Sequence, residues 1–197
     1  MSLGVWKEKR TLLIAIIGFS FIMAEISAGT WVPIALTVSG FSGSAAAFAF
    51  GVFWIVITFG RIIGGFVVEK IGRYRTILLS TLITASGILI FMLVELVALP
   101  FLGLILWGLG MSMGFPMSVA AMSDEPRKAP YRINMIITVV YISSITVGPA
   151  LGSLGEVAGI YVAFSIPLAL MILSAILSPV TKPLETPEAL AGRAPRA

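Results

Sequence analysis

Gly65-Phe66-Val67-Val68-Glu69-Lys70-Ile71-Gly72-Arg73-Tyr74-Arg75 closes one long apolar run and opens the next. Four charges fall between residues 69 and 75, in a chain of which only 11% is charged. On both sides the sequence alternates long apolar segments with short turns. A charged turn between two such segments reads as a hinge at a membrane surface, and the topology of the remainder depends on which surface that is.

Composition supports this setting. The chain has 197 residues, is 58% hydrophobic and has a mean hydropathy of +1.07. A soluble domain carries roughly 25% charged residues, so the chain falls in the membrane class and its first partner is the lipid bilayer. No polar block is long enough for a separate soluble domain. The net charge of +4 is spread between apolar segments and forms no patch for nucleic acid. These basic residues suit anchorage on an anionic leaflet. There are no cysteines and no histidines, which removes disulfides, thiolate chemistry and the usual zinc sites. No metal or other cofactor is expected. The first apolar run is as long as a span and lacks a small-x-small exit, so it reads as a retained helix and not a cleaved signal.

A membrane helix needs about 20 apolar residues. Six segments qualify, at 11–32, 45–68, 77–96, 99–122, 133–154 and 160–177. The expected fold is all-α, an integral membrane bundle of six transmembrane helices forming one domain over 11–178. A basic lead-in, 1–10, precedes it. A polar Pro-rich tail, 179–197, follows and is expected to be disordered. Lys7, Lys9 and Arg10 precede the first helix. Lys70, Arg73 and Arg75 join helices two and three, and Arg127, Lys128 and Arg132 join four and five. Lys182, Arg193 and Arg196 follow the sixth. These are twelve of the thirteen basic residues. Loops rich in Lys and Arg stay inside, so both termini are assigned to the cytoplasm.

Small residues recur at helical spacing in Gly60/Gly64, Gly110/Gly114 and Gly148/Gly152, which suits close helix packing in hydrocarbon. Pro33, Pro116, Pro149 and Pro167 lie inside or at the ends of spans, where a freed carbonyl is tolerated only against protein or a wet cavity. Together they suit helices that bend, and equally ordinary packing.

Two charges lie within spans. Arg61 sits two turns before Glu69, about 12 Å into the membrane. Such a charge marks a functional site, a structural ion pair or an arginine that snorkels to the interface. Its stripe, Trp54, Thr58, Arg61 and Gly65, is polar or small and should face inward. Glu25 lies fifteen residues beyond Arg10, about 22 Å from the same surface. Its face holds Gly18, Ala28 and Gly29. Buried alone, a Glu can take up a proton at neutral pH, as a proton-coupling carboxylate must; beside Arg61 it stays ionised. The depths differ by roughly 10 Å, so a direct pair requires tilt or full extension of Arg61. A third stripe, Asn134, Thr138, Tyr141, Gly148 and Gly152, suits hydrogen bonding to a polar solute or between helices. Glu95 and Glu156 fall in outer connectors and read as solvated. Trp6, Trp31, Tyr74, Tyr131 and Tyr161 lie near span ends, where aromatic belts form. Gly40-Phe41-Ser42-Gly43 spells the nucleophile sequence of intramembrane serine proteases, but there is no histidine to act as base, and the chain does not read as an enzyme.

Gly65, Glu69, Lys70, Gly72, Arg73 and Arg75 together resemble the loop signature of the major facilitator superfamily, Gly-xxx-Asp-Arg/Lys-x-Gly-Arg-Arg/Lys, between the second and third helices of a six-helix unit. Glu69 stands for the commoner Asp, and Tyr74 separates the two arginines. Members have two six-helix halves around a central cavity. This chain resembles one half, over about residues 1–180. Trp107 to Pro116 is similar to the tenth helix. Ala24-Glu25 with Trp31 resembles the seventh helix of a bacterial permease subgroup, although Ser27 to Thr30 lack its acid. The resemblance therefore implies a carboxyl-terminal half of a bacterial inner-membrane permease, with Lys7 to Arg10 ending a central cytoplasmic loop. It implies transport of a small solute by alternating access, proton- or ion-coupled. Glu25, Arg61 and Tyr141 would line the cavity, and the Glu69/Arg73 loop would latch the cytoplasmic gate.

A lone half calls for a second: a separate chain, a second copy, or a missing portion. The competing readings are a truncated, inactive permease fragment and a membrane assembly or regulatory subunit that transports nothing. Substrate identity and coupling are not legible. A sugar or organic acid suits the polar stripes, and an apolar drug suits the many Phe and Met residues.

Overall fold

The computed structural model describes residues 2–93 and 99–184, and all regular structure among them is helical. A 3₁₀ turn over Ser2–Lys7 leads into α1, Lys9–Val38. There follow α2, Gly43–Ile71; α3, Arg73–Met92; α4, Leu99–Met122; and α5, Ala129–Ala158. The last span is interrupted: α6, Ile160–Ala163, and α7, Ser165–Leu177, continue into a 3₁₀ turn, Ser178–Thr181. Each of the six spans is long and apolar enough to cross a membrane.

Most helices run past the apolar limits read from the sequence, because backbone hydrogen bonding continues through their polar ends. The third span is shifted instead. It starts at Arg73 and ends at Met92, where 77–96 was expected, because Gly72 turns the chain at once. Gly72 has φ +79 and serves as both the end of α2 and the cap of α3. A β-carbon is strained in that conformation, which is why the hinge holds a glycine. Ser42, the would-be nucleophile, caps α2: its Oγ accepts from the Ala45 amide at 3.2 Å.

The core lies among α1, α3, α4 and α7, with the inner face of α2 added on α4; Phe21, Phe53, Phe91, Trp107 and Phe164 are fully buried. α3 and α4 make the closest contact. A β-carbon on Gly87 would strike the Trp107 amide and the Gly103 carbonyl, and one on Gly103 would strike the Phe91 backbone. Glycine lets these backbones meet where hydrocarbon supplies no drive to bring larger side chains together. Of the spaced glycines, Gly60 and Gly64 meet α4 through Ser112 and Met113, Gly110 meets Thr84, and Gly114 meets Phe21. Gly152 faces Trp31, while Gly148 faces open space.

α1 is flanked by α2 on one side and α5 on the other, with α4 and α7 also packed on it. α2 and α5 are less buried than α1, α3 and α4. Phe48, Phe59, Ile62 and Phe66 on α2 and Tyr141 and Ile145 on α5 are each more than half exposed. Glu95 and residues 185–197 lie outside the described residues, so most of the expected tail does too; Glu156 is exposed near the end of α5.

Candidate functional site

Two polar constellations stand out. The first is mid-helix. Arg61 Nη2 approaches Glu25 Oε2 to 3.7 Å, an ion pair without a short hydrogen bond. The Glu25 side chain is 15% exposed and that of Arg61 48%. Trp54, two turns before Arg61, lays its ring beside Gly29 of α1: a β-carbon there would be 3.5 Å from Trp54 Cζ2. Phe50 and Phe53 hold that indole edge-on at 6.1 and 5.7 Å. Thr58 Oγ donates to the Trp54 carbonyl at 2.9 Å, which leaves its lone pairs to the open side. Glu25, Trp54, Thr58 and Arg61 therefore form one patch along the α1–α2 seam.

The α5 stripe stands on another wall. α5 packs on α1, and Ser143 Oγ fastens it by donating to the Phe19 carbonyl at 3.1 Å. Asn134, Thr138 and Tyr141 are exposed. Thr138 donates to the Asn134 carbonyl at 2.9 Å, and Tyr141 is 67% exposed. The stripe is thus turned outward rather than spent on helix–helix hydrogen bonds among the described residues.

The second constellation ties one end of the bundle. Arg73, the first residue of α3, grips Asp124 with two prongs, Nη1 to Oδ1 and Nη2 to Oδ2, both 2.7 Å. Its Nε donates to the Thr181 carbonyl at 2.8 Å and its Nη1 to the Ala120 carbonyl at 3.2 Å. Arg10 reaches Asp124 Oδ2 from α1 at 2.7 Å and donates to the carbonyls of Val180, Ala121 and Lys182. The last carbonyls of α4 have no partner within their helix and carry negative dipole charge, so two guanidiniums there are doubly favourable. Burial acts to raise the Asp124 carboxyl, but hydrogen bonds from Arg73 and then Arg10 outweigh it and hold the carboxyl below its usual range.

A neighbouring cluster joins the lead-in to α5. Arg132 Nε donates to Glu8 Oε2 at 2.8 Å and its Nη2 to Glu125 Oε2 at 3.0 Å. Lys128 Nζ lies 3.1 Å from Glu8 and 3.3 Å from Glu125. Desolvation would raise the Glu8 carboxyl; hydrogen bonds from Thr11, Arg132 and Lys128 bring it instead down to about 2.

The clusters gather the basic lead-in, the 72–75 hinge, the α4–α5 connector and the chain after α7 at one end. The start of the expected tail is therefore pinned: Ser178–Thr181 form a turn whose carbonyls take up Arg10 and Arg73. Gly65, Glu69, Lys70 and Arg75 of the hinge are exposed, and none of these three charged groups makes an ion pair or side-chain hydrogen bond among the described residues. Sequence reasoning placed Arg73 in the hinge but passed over Asp124, its partner, and used Arg10 and Arg132 only for orientation. The available signal was the pair Asp124-Glu125, two acids inside an otherwise basic connector.

The family model of the Major Facilitator Superfamily matches residues 14–196. The chain belongs to this superfamily. An uncharacterised MFS-type transporter of Yersinia pestis is 29% identical over 183 residues, covering 91% of this chain and 48% of the relative. The fold agrees with solved transporter structures. The transporter FucP in its outward conformation superposes with a TM-score of 0.83 at 17% identity, over 94% of this chain and 45% of that one. The POT-family transporter PepTSo gives 0.77 at 22% identity, over 90% and 39%. The chain thus spans about half the length of the relatives it matches. Six apolar spans and superfamily membership make it an integral membrane protein with the fold of one MFS half.

Proposed function

We propose that this chain supplies one six-helix half of a secondary transporter that moves a small solute by alternating access. The observation that carries the reading is the Glu25–Arg61 pair. A half-exposed guanidinium at the middle of a membrane helix is costly against lipid. Its open side therefore calls for water or polar groups, and Thr58 along the same seam, with Asn134, Thr138 and Tyr141 on the flanking helix, supplies a wall for such a space. Trp54 gives the patch an apolar platform. Glu25, paired loosely at 3.7 Å, can exchange Arg61 for a proton or a solute cation. Proton or ion coupling follows from that exchange.

The half corresponds to the carboxyl-terminal one, with both termini in the cytoplasm of a bacterial cell and the second half covering the α2 face of Phe48, Phe59, Ile62 and Phe66 and the exposed face of α5. In this reading the Arg10–Asp124–Arg73 cluster holds α1, α3, α4 and the chain after α7 together as one rigid body. Exposed Glu69 is then the hinge acid left to latch the opposite half at the cytoplasmic gate.

The test is uptake in proteoliposomes, with this chain alone and with a matching amino-terminal half, against a panel of labelled sugars, organic acids, peptides and apolar cations. Uptake of one class that is lost in Glu25→Gln and Arg61→Ala is the expected result. Uptake by the assembled halves that is untouched by both substitutions would remove the pair from the pathway. No uptake with either preparation would favour a non-transporting subunit.

A further inference from the structure

α2 and α3 both pack on α4 but scarcely on each other. Between them runs a groove of about 340 Å³ whose walls are Ile63 and Val67 of α2 and Leu79 and Ile83 of α3, with Leu109 and Met113 of α4 as floor. Ile63, Val67 and Leu79 are each at least 41% exposed, so the groove opens outward. It lies on the α3 side of α2, away from the seam that holds Glu25.

Both walls end in a cation. On α2, Lys70 follows Val67 by one turn, and on α3, Arg75 precedes Leu79 by one turn. The hinge at Gly72 joins the two helices just there. Lys70 and Arg75 are exposed, and neither has an ion-pair partner among the described residues. Glu69 sits about 100° round α2 from Lys70 and off the groove wall. An apolar slot that leads to two unneutralised cations at the membrane surface has the complementarity of a lipid with a negative headgroup. Long basic side chains reach such a headgroup by extending along the interface.

We propose that the α2–α3 groove holds an acyl chain of an anionic phospholipid whose phosphate rests between Lys70 and Arg75. The apolar walls accept the chain, and the cations select the headgroup. The lipid would also brace the hinge from outside, opposite the Arg73–Asp124 grip.

Native mass spectrometry tests this on the full chain, released from micelles that hold equal amounts of phosphatidylglycerol and phosphatidylcholine with identical acyl chains. The wild type should retain phosphatidylglycerol preferentially. Lys70→Gln/Arg75→Gln should cut that preference about 25-fold, since each cation near an anionic surface contributes about fivefold. Lys7→Gln/Lys9→Gln, which removes the same charge away from the groove, should keep it. Leu79→Trp, which fills the groove, should lower retention of both lipids. The proposal is overturned if the Lys70/Arg75 variant keeps the wild-type preference, if the Lys7/Lys9 variant loses as much, or if Leu79→Trp retains lipid like the wild type.

Discussion

Arg73 and Asp124 are 51 residues apart in sequence, yet the guanidinium of one meets both carboxylate oxygens of the other at 2.7 Å. Each side chain is only 12% exposed, and Arg10 shares the same carboxylate. Two cations around one acid make the acid the member whose loss costs most. Asp124→Asn leaves two guanidiniums close together without a counter-charge. It should lower stability by about 3 kcal/mol, and Arg73→Ala by less, since Arg10 still neutralises the carboxylate. Thermal unfolding in detergent, followed by circular dichroism, checks the order. Equal losses would mean that Arg10 does not share the load.

Protonation should loosen the same end of the bundle. The Glu8 carboxyl is lowered from 4.5 to about 2, and that of Asp124 is lowered from 3.8. A depressed carboxyl contributes stability that is fully present above its unfolded value and is lost as pH falls through its folded one. Tm should therefore be insensitive to these groups above about pH 5 and should fall between about pH 4.5 and 2. Glu8→Gln should start with a lower Tm at pH 7 and show a shallower fall. A wild-type Tm that drops instead between pH 8 and 6 would assign the sensitivity to other groups.

The α3–α4 contact predicts a sharp contrast between glycines. A methyl on Gly87 meets the backbone of Trp107 and Gly103, which cannot yield without moving a helix. Gly87→Ala should cost about 1–3 kcal/mol as overpacking. Gly148→Ala meets nothing within 4 Å and should leave Tm level or slightly higher. Thermal shift of the two variants side by side decides this, and a neutral Gly87→Ala would mean that the helices are not so closely set.

Hydropathy and charge made the six spans legible, together with the hinge and the grouping of basic residues, because those signals are local. Pairings across the bundle were not. The acidic pair in the Ser123–Lys128 connector marks Asp124 as unusual but does not name its partners on α1 and α3, since that contact arises only when four chain segments converge. Gly87 and Gly103 escaped notice because they lie on different helices and form no i, i+4 pattern. Counting residues inward placed Glu25 and Arg61 roughly 10 Å apart in depth. The two nevertheless pair at 3.7 Å, because a long arginine side chain reaches several residues along the seam, which counting Cα positions leaves out. Tyr161 read as a belt aromatic, yet it ties α6 to α1 by donating to the Ala35 carbonyl at 3.2 Å.

The central claim is that the face carrying Glu25 and Arg61 borders an aqueous path. The chain contains no cysteine, so single cysteines report without background. Thr58→Cys and Tyr141→Cys, assembled with a second half in membranes, should react with a water-soluble maleimide. Leu82→Cys and Leu89→Cys, on α3 at 49% and 51% exposure, should stay unlabelled in lipid. Labelling of positions 58 and 141 alone is the predicted result; the same inertness at all four positions would contradict the account.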